Sequence, residues 1–597
     1  MFGFVLLISV LAIYAPALRN GFVWDDTALV LRDPLIRSWR LIPEGFNHYL
    51  FTDATASDFY RPLQRLTYTI EYALFAAQPG PYHVTSILIH AAAAIALMCF
   101  AQTLLETFGY EGSRARWIAF LSALIWALHP VHSSAVVYVS GRADPLAALF
   151  GFAGCYLILQ GLVRQRVRSM ILLLSGAGAL LCSVLSKESG FVFPLLAMLL
   201  LTILKQYRLL LRLGVTTIFI VAIYFSLRLS AAHTAPPAFG EAVPMNVRPI
   251  TMARAVAEYT GLLILPVNLH VERDVTASFT HNLYNDTGAS AARELQTLVG
   301  VAISTGVLIW LARSRRRDRA IFALLVCAIA AYFPVSGLMR LNASVAEHWV
   351  YVPSAFLFIA LVLFFSNHPV RLWHWAPVRA TGVAFAAAWV LFLGTRTCIR
   401  TFDWKDQRTF LEHTIAAGGG SVRMLVNLGA LESREHRFDL AKKHLSEALK
   451  QEPDHPFAIL DLAAVHVKNN EFDAARVLLG RATQMPAVAA RAHELLALVE
   501  SKQHGRADLL RLRLAARTGM SDWAIERRYI KLLAETGATA KAIQELKICL
   551  QVEWYRAESW QLLAELLATT GQTKAAADAM ALASDYDVHL SARPAAL

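Results

Sequence analysis

Along roughly the first 400 residues apolar side chains come in unbroken runs, and beyond them they recur at helical spacing. A bilayer core of about 30 Å needs about 20 apolar residues of helix. Runs of that kind lie near 2–18, 83–106, 117–131, 143–163, 170–186, 190–204, 209–227, 297–312, 320–338, 350–365 and 377–395, which predicts eleven membrane spans. Residues 251–268 are different, because Arg254 and Glu258 interrupt a short apolar core. That segment reads as an interfacial or re-entrant helix. The first run has no charged leader and no small-residue cleavage site, so it reads as an uncleaved helix.

The polar stretches between the runs divide by sign. RQRVR at 164–168, KQYRLLLR at 205–212 and RSRRRDR at 313–319 are short and basic, the pattern of loops retained in the cytoplasm. With the N-terminus inside, GFVWDD, HPVHSSAVVYVSGRAD, SKES and RLNASVAEHW all face the other side. Composition agrees: the chain is 56% hydrophobic and only 17% charged, against about a quarter charged in soluble proteins. The net charge of +12 is spread over separate loops, which argues against a nucleic-acid surface. Six scattered cysteines form no CxxC pair and no metal-like spacing. The Asn285 and Asn342 glycosylation triplets are too common by chance to carry weight.

Beyond about residue 400 no further span appears. Compared with itself at a shift of 34, the chain repeats: Gly429, Ala441, Leu445, Ala448 and Pro453 are followed by Ala463, Ala475, Leu479 and Ala482. Trp560, Leu563, Ala564, Gly571, Ala576 and Ala583 resume the template, with Ala542 one period before Ala576. Small residues at fixed offsets let paired antiparallel helices approach closely and stack. The pattern is that of tetratricopeptide repeats: two well formed, one degenerate around 490–520, and two more to about 590. The expected fold class is therefore all-α. A polytopic helix bundle (1–400, first outer loop 19–82) is followed by a linker (401–420) and a soluble α-solenoid (421–590).

Candidate chemistry sits in the outward loops. Asp25 and Asp26 lie just beyond the first span, where a carboxylate can act as general base on a hydroxyl. Paired acids are also compatible with a divalent cation, although no metal is indicated. Asp33, before Pro34, reads as a turn residue. FYRPLQRLTYTIEYALF places Tyr60, Tyr68, Tyr72 and Phe75 on an amphipathic segment suited to the lipid–water interface, and Arg61 there can meet phosphate or lipid headgroups. His83 and His90 lie on one helix face; a cavity or plain interhelical hydrogen bonding would explain them. His129 and His132 flank Pro130 and lack a nearby third ligand for zinc. Arg142 can grip a phosphate bidentately, with Asp144 to hold it. Lys187 and Glu188 in SKESG, with Glu347 and His348 in AEHWVYVPS, complete a set of acids and cations suited to a phosphate leaving group, or to structural salt bridges.

In order, FVWDD, YRPL, YHVTSILIH, LHPVHSSAVVYVSGRADPLA, LSKESGFVFPLL, EHWVYVPS, WKDQRTFLEHTI and the 34-residue repeats resemble the transmembrane and tetratricopeptide-repeat-containing O-mannosyltransferases and their bacterial relatives, members of the C-type glycosyltransferase superfamily. The resemblance implies a C-type-glycosyltransferase-like bundle. It implies a polyprenyl- or dolichyl-phosphate-linked sugar donor, typically mannose, and a protein hydroxyl as acceptor on the non-cytoplasmic side. Inversion at the anomeric carbon follows from a single displacement. By resemblance the base is Asp25 or Asp26, with a lean to Asp26, and Arg61, Arg142 and Lys187 face the lipid phosphate. His348 stands where relatives carry arginine, and Ser134 where many carry a carboxylate. Asp144, Glu188, Glu347 and His83 are supporting groups. The repeats would bind the acceptor polypeptide, and no cofactor is required. A bacterial inner membrane with its periplasm is favoured, or the endoplasmic reticulum in a eukaryote. Two other readings compete: the same fold acting on a glycan or lipid acceptor in envelope synthesis, and a non-catalytic, membrane-anchored repeat scaffold.

Overall fold

The computed structural model describes residues 1–52, 58–162, 166–231, 245, 247–275, 287–339, 343–368, 376–505, 508–518 and 522–590. Asn285, Asn342 and Arg164 lie outside them. The described chain is helical apart from one short antiparallel pairing, Glu272–Arg273 against Val345–Ala346.

Among the described residues eight helices are long and apolar enough to cross a membrane: Phe2–Arg19, Pro79–Thr107, Val139–Gln160, Ser169–Ser186, Tyr207–Ala231, Ala291–Arg317, Glu347–Asn367 and Ala376–Trp404. A ninth is a bent pair, Gly112–Ala127 with Pro130–Val136, turned by 55°. The break falls at His129-Pro130, where proline lacks an amide hydrogen for the helix ladder. Eleven spans were expected, and the shortfall has a geometric cause. The runs at 190–204 and 320–338 form helices of only 12 residues (Val192–Ile203) and 14 residues (Arg319–Tyr332). At 1.5 Å per residue these reach about 18 and 21 Å, short of the hydrocarbon thickness. The doubtful segment forms the Arg248–Ile264 helix, which is not among the long apolar helices. It packs on Ala291–Arg317 at Gly300, where a Cβ would lie 1.8 Å from the carbonyl oxygen of Ala253.

Aromatic and small residues fill the bundle interior. Phe100, Trp126, Phe152, Phe193 and Phe356 form one cluster with many alanines. His90 is satisfied inside it: Nδ1 lies 2.6 Å from Tyr351 Oη and Nε2 3.0 Å from the Ala127 carbonyl. The amphipathic helix Pro62–Phe75 differs from its expected placement. Tyr60, Tyr68 and Tyr72 are buried, while Phe75 is exposed together with Ile70 and Leu74. Their hydroxyls are occupied inside the protein: Tyr60 donates to Phe46 O, Tyr68 to Val139 O and Tyr72 to Asp587. Polar partners drew these rings inward.

The solenoid is five helix pairs, from Val422–Arg434 with Phe438–Gln451 to Ala557–Thr569 with Thr573–Tyr586. Its small residues sit where the helices cross: Ala441, Ala448, Ala463, Ala475 and Ala482 are fully buried. A Cβ on Gly429 would lie 2.6 Å from the Leu445 side chain, so glycine lets the two helices close tightly at this crossing. Both solenoid ends touch the loop that follows the first candidate span. At the near end Arg423 lies over the Trp24 ring. At the far end Ser38 Oγ donates to Asp585 O, Val588 N to Arg37 O, and Tyr555 packs with Leu35 and Leu41.

Candidate active site

The loop after the first candidate span begins at Asn20 and is stitched at once to the far end of the last one. Asn20 donates to Thr401 O, and Gly21 N donates to Lys405 O at 2.8 Å. Trp24 then adopts a positive φ of 51°, unusual for a bulky side chain. Its amide donates to Gln407 Oε1. Its ring stacks on Tyr138 and Phe410, with centroids 5.8 and 5.6 Å away.

This turn sends the two acids to different places. Asp26 is fully buried. Its Oδ1 accepts from the Ser140 amide at 2.7 Å and the Ser140 hydroxyl at 2.5 Å, and its Oδ2 from Val23 N at 3.1 Å. Burial pushes its carboxyl up to about 7; the hydrogen bonds from Ser140 and Val23 pull it down, and the neighbouring Asp25 charge adds to the rise. Asp25 is half-buried. Its amide donates to Tyr138 Oη at 3.1 Å, and the Tyr138 phenol is held well above its usual range by burial and by the two aspartates.

Ser140 in turn belongs to the 137–144 segment that opens the next span. Gln64 Nε2 donates to Ser140 O at 2.8 Å, so Pro62–Phe75 fixes the segment from behind. Four residues on, Asp144 accepts both of its bonds from Lys187 Nζ, each 2.7 Å. Beside this pair Arg61 Nε donates to Glu188 Oε2 at 2.9 Å, and Glu188 Oε1 accepts from Tyr60 N. The Arg61 guanidinium lies 4.3 Å from the centre of the Phe59 ring. Burial pulls the Lys187 ammonium below its usual range, against the pull of Asp144. His348 is half-buried and within electrostatic reach of Lys187, Asp144 and Arg61. One turn of chain thus carries a contact to Asp26 at Ser140 and a contact to the Lys187 cation at Asp144. Among the described residues no group of three or more His, Cys, Asp or Glu is arranged to hold a metal ion.

Comparison with known proteins bears on what such a site belongs to. The tetratricopeptide repeat family matches residues 434–499. A protein O-mannosyl-transferase of Caenorhabditis elegans is 23% identical over 466 residues, 76% of this chain and 63% of that protein. The protein O-mannosyl-transferase TMTC4 of Mus musculus is 26% identical over 485 residues, 72% of this chain and 63% of its own length. This chain is a homologue of the TMTC protein O-mannosyl-transferases. It spans less than two thirds of the length of either relative. Among solved structures, yeast Tom70 aligns at 12% identity over 82% of this chain and 92% of its own, with a TM-score of 0.28. The repeat protein YrrB, titled as having an unusual peptide-binding site, aligns at 16% identity over 30% of this chain and 94% of its own, with a TM-score of 0.21.

Within this O-mannosyl-transferase homologue the predicted residues fall into three groups. Asp25 and Asp26 share one turn, while Arg61, Lys187, Asp144, Glu188 and His348 share the second cluster. The third group is placed differently from expectation. Arg142 is fully buried and donates from every nitrogen within the protein: Nε to Ser86 at 3.1 Å, Nη1 to Thr67 and Glu71, and Nη2 to Tyr82 O at 2.6 Å. A guanidinium so enclosed braces Pro62–Phe75 against the bundle and is not presented to a ligand. Glu347 pairs with Arg400 at 3.4 Å, away from Lys187, because the last span brings that arginine alongside. His83 is buried against the main chain of Asn20, Gly21 and Val137 and supports the exit of the loop. Asp33 does more than turn the chain: it caps Leu35 N at 2.9 Å and pairs with buried Arg65 at 3.0 Å.

Four contributors went unnoticed in the sequence. Tyr138 and Ser140 lie inside the HPVHSSAVVYVSGRAD motif, between His132 and Arg142, so the motif itself is the signal for them. Gln407 lies in WKDQRTF. Arg423 lies in the first repeat, and nothing local marks it.

Proposed function

We propose that the protein is an integral-membrane glycosyltransferase that moves a sugar, mannose by homology, from a polyprenyl-phosphate donor to Ser or Thr hydroxyls of a polypeptide on the non-cytoplasmic face. The acceptor oxygen attacks the anomeric carbon as the bond from that carbon to the phosphate oxygen breaks. The hydroxyl proton passes to an aspartate, and the lipid phosphate leaves with its charge stabilised by Lys187 and Arg61. One displacement inverts the anomeric centre. Asp25 is the better-placed base, a reversal of the lean to Asp26. Asp26 is enclosed with both oxygens engaged, whereas Asp25 is half-buried. Asp26 then anchors the loop on which Asp25 is carried. Asp144 and Glu188 hold the two cations in place until the donor arrives.

The observation that carries this reading is the 139–144 turn. It holds the acids' anchor, Ser140, four residues from Asp144, the partner of the leaving-group cation. The repeats, supplied on the same chain, favour a polypeptide acceptor over a glycan or lipid. The test uses the purified full chain in detergent, radiolabelled polyprenyl-phosphate-mannose and a mixed envelope-protein acceptor. Base-stable label on protein, abolished by Asp25→Asn, supports the assignment. Loss with Asp26→Asn alone would return the base to Asp26. Absence of both transfer and donor binding, for every lipid-linked sugar tried, would favour a non-catalytic scaffold.

A further inference from the structure

We propose that Arg423, on the first repeat helix Val422–Arg434, is a positioning residue of the transfer site: it holds the Asp25 carboxylate ionised and the Trp24 ring in place, so the site is complete only with the first repeat docked. The inference rests on the reading of Asp25 as the base.

The geometry behind it converges from three parts of the chain. The Arg423 guanidinium carbon lies 5.0 Å from the centre of the Trp24 ring, within cation–π range. Trp24 holds a positive φ, so its ring is presented by a backbone shape that needs outside support. That support comes from Gln407, from the stacked Tyr138 and Phe410, and from Arg423. Asp25 is the next residue. Facing it are Asp26 from its own loop, the Tyr138 phenol from the segment before Val139, and Arg423 from the repeat. The Tyr138 phenol stays protonated, adds no like charge and hydrogen-bonds to the Asp25 side chain, whereas Asp26, when ionised, favours a protonated Asp25 by like charge. Arg423 acts the other way. A base must be ionised before the hydroxyl arrives, and an opposite charge set against it is the direct means; Arg423 is the cation that Asp25 meets electrostatically. Burial works against the guanidinium charge, and Asp25 and Tyr138 sustain it, so the pairing stabilises both partners.

A consequence is that the repeat domain contributes to the chemistry as well as to acceptor capture. Displacing the first repeat removes the cation and loosens Trp24 together.

The test compares full-length wild type with Arg423→Gln and Arg423→Lys in detergent. The first readout needs no turnover. A carbodiimide modifies protonated carboxyls, so peptide mass spectrometry of Asp25 labelling against pH reports where that acid titrates. The expected result is a midpoint raised by about one pH unit in Arg423→Gln, with at least half of the shift restored in Arg423→Lys. The second readout is the acid limb of kcat/KM for transfer, which should move in the same direction while the KM for donor stays constant. An unchanged Asp25 midpoint in folded Arg423→Gln would overturn the proposal, because a merely structural arginine lowers activity without moving a titration. Should that variant not fold, Arg423→Met carries the same test, since it keeps an apolar stem over Trp24 without the charge. A shifted midpoint with no transfer in wild type sinks the functional reading and leaves the Arg423–Asp25 coupling standing. Transfer with no shift does the reverse.

Discussion

Ser140 gives both its amide and its hydroxyl to one oxygen of Asp26, at 2.7 and 2.5 Å. An acid fully enclosed by protein would otherwise surrender its charge, and this double donation from a single residue is what opposes that tendency. Burial still wins, leaving the carboxyl at about 7. The sign for stability follows. An acid raised in the fold binds a proton that the unfolded chain, titrating near 4, has already lost. The stability this supplies is fully present below about pH 4 and is lost as pH rises through about 7. We expect the thermal midpoint of wild type to fall from about pH 5 to about pH 7, by at most the equivalent of about 1.4 kcal/mol per pH unit. Asp26→Asn should flatten that slope, and Ser140→Ala should carry it to higher pH. Parallel slopes in wild type and Asp26→Asn would refute the assignment.

Lys187 and Asp144 make a different kind of pair. Two bonds of 2.7 Å between largely buried groups mean that removing the lysine strands a carboxylate. Lys187→Ala should cost about 3–5 kcal/mol of stability. Lys187→Ala with Asp144→Ala should recover part of that loss while keeping donor affinity low. The informative measurement is donor KM across the set. A double variant that regains both stability and donor KM would show that the ammonium never met the donor.

Arg142 should behave unlike Lys187, although both were expected to face phosphate. Its charge is spent on Glu71, Thr67, Ser86 and Tyr82. Burial pushes Glu71 up and Arg142 draws it back. Arg142→Ala is therefore expected to lower the yield of folded protein, by about 3–5 kcal/mol of stability. Any protein recovered should bind donor with unchanged affinity. Normal folding with lost donor binding would restore the original assignment.

The contrast between these two cations shows what a sequence can disclose. Unbroken apolar runs announce helices because lipid leaves no other partner for the backbone. The repeat offsets announce the solenoid because Gly429 and Ala441 are small for a reason that recurs each period: a neighbouring helix passes there. Loop motifs announce where chemistry gathers, as Asp25, Lys187 and Glu188 do. Pairing across the fold is not written locally. Lys187 meets Asp144, while Arg142, two residues earlier in the same motif, points to Glu71 instead. Helix direction alone separates them. Glu347 finds Arg400 and Trp24 finds Arg423 only after the last span and first repeat are in place. The short helices at Val192–Ile203 and Arg319–Tyr332 are a further instance, since hydropathy reads a run but not where a turn will cut it.

The far end of the solenoid supplies the last expectation. Asp587 is buried, and its Oδ1 accepts from Tyr72 Oη at 2.9 Å and from His589 N at 3.0 Å. His589 Nε2 lies 2.9 Å from the Tyr72 carbonyl oxygen, so residues 587–589 form a latch onto Pro62–Phe75. The exposed Arg40–Asp585 pair adds little beside it. Losing the Asp587 contacts should cost about 1–3 kcal/mol locally, because the Tyr72 hydroxyl is left buried without its acceptor. Asp587→Ala should therefore speed amide exchange in the Thr573–Tyr586 helix and in residues 35–41, with exchange in the first repeat unaltered. Tyr72→Phe, which leaves Asp587 its bond from His589 N, should be milder. Uniform acceleration along the whole solenoid would mean that the latch stabilises the repeats at large rather than pinning their far end. In that case both anchors on the loop after the first span would act as one, and Arg423 would be expected to loosen from Trp24 in the same variant.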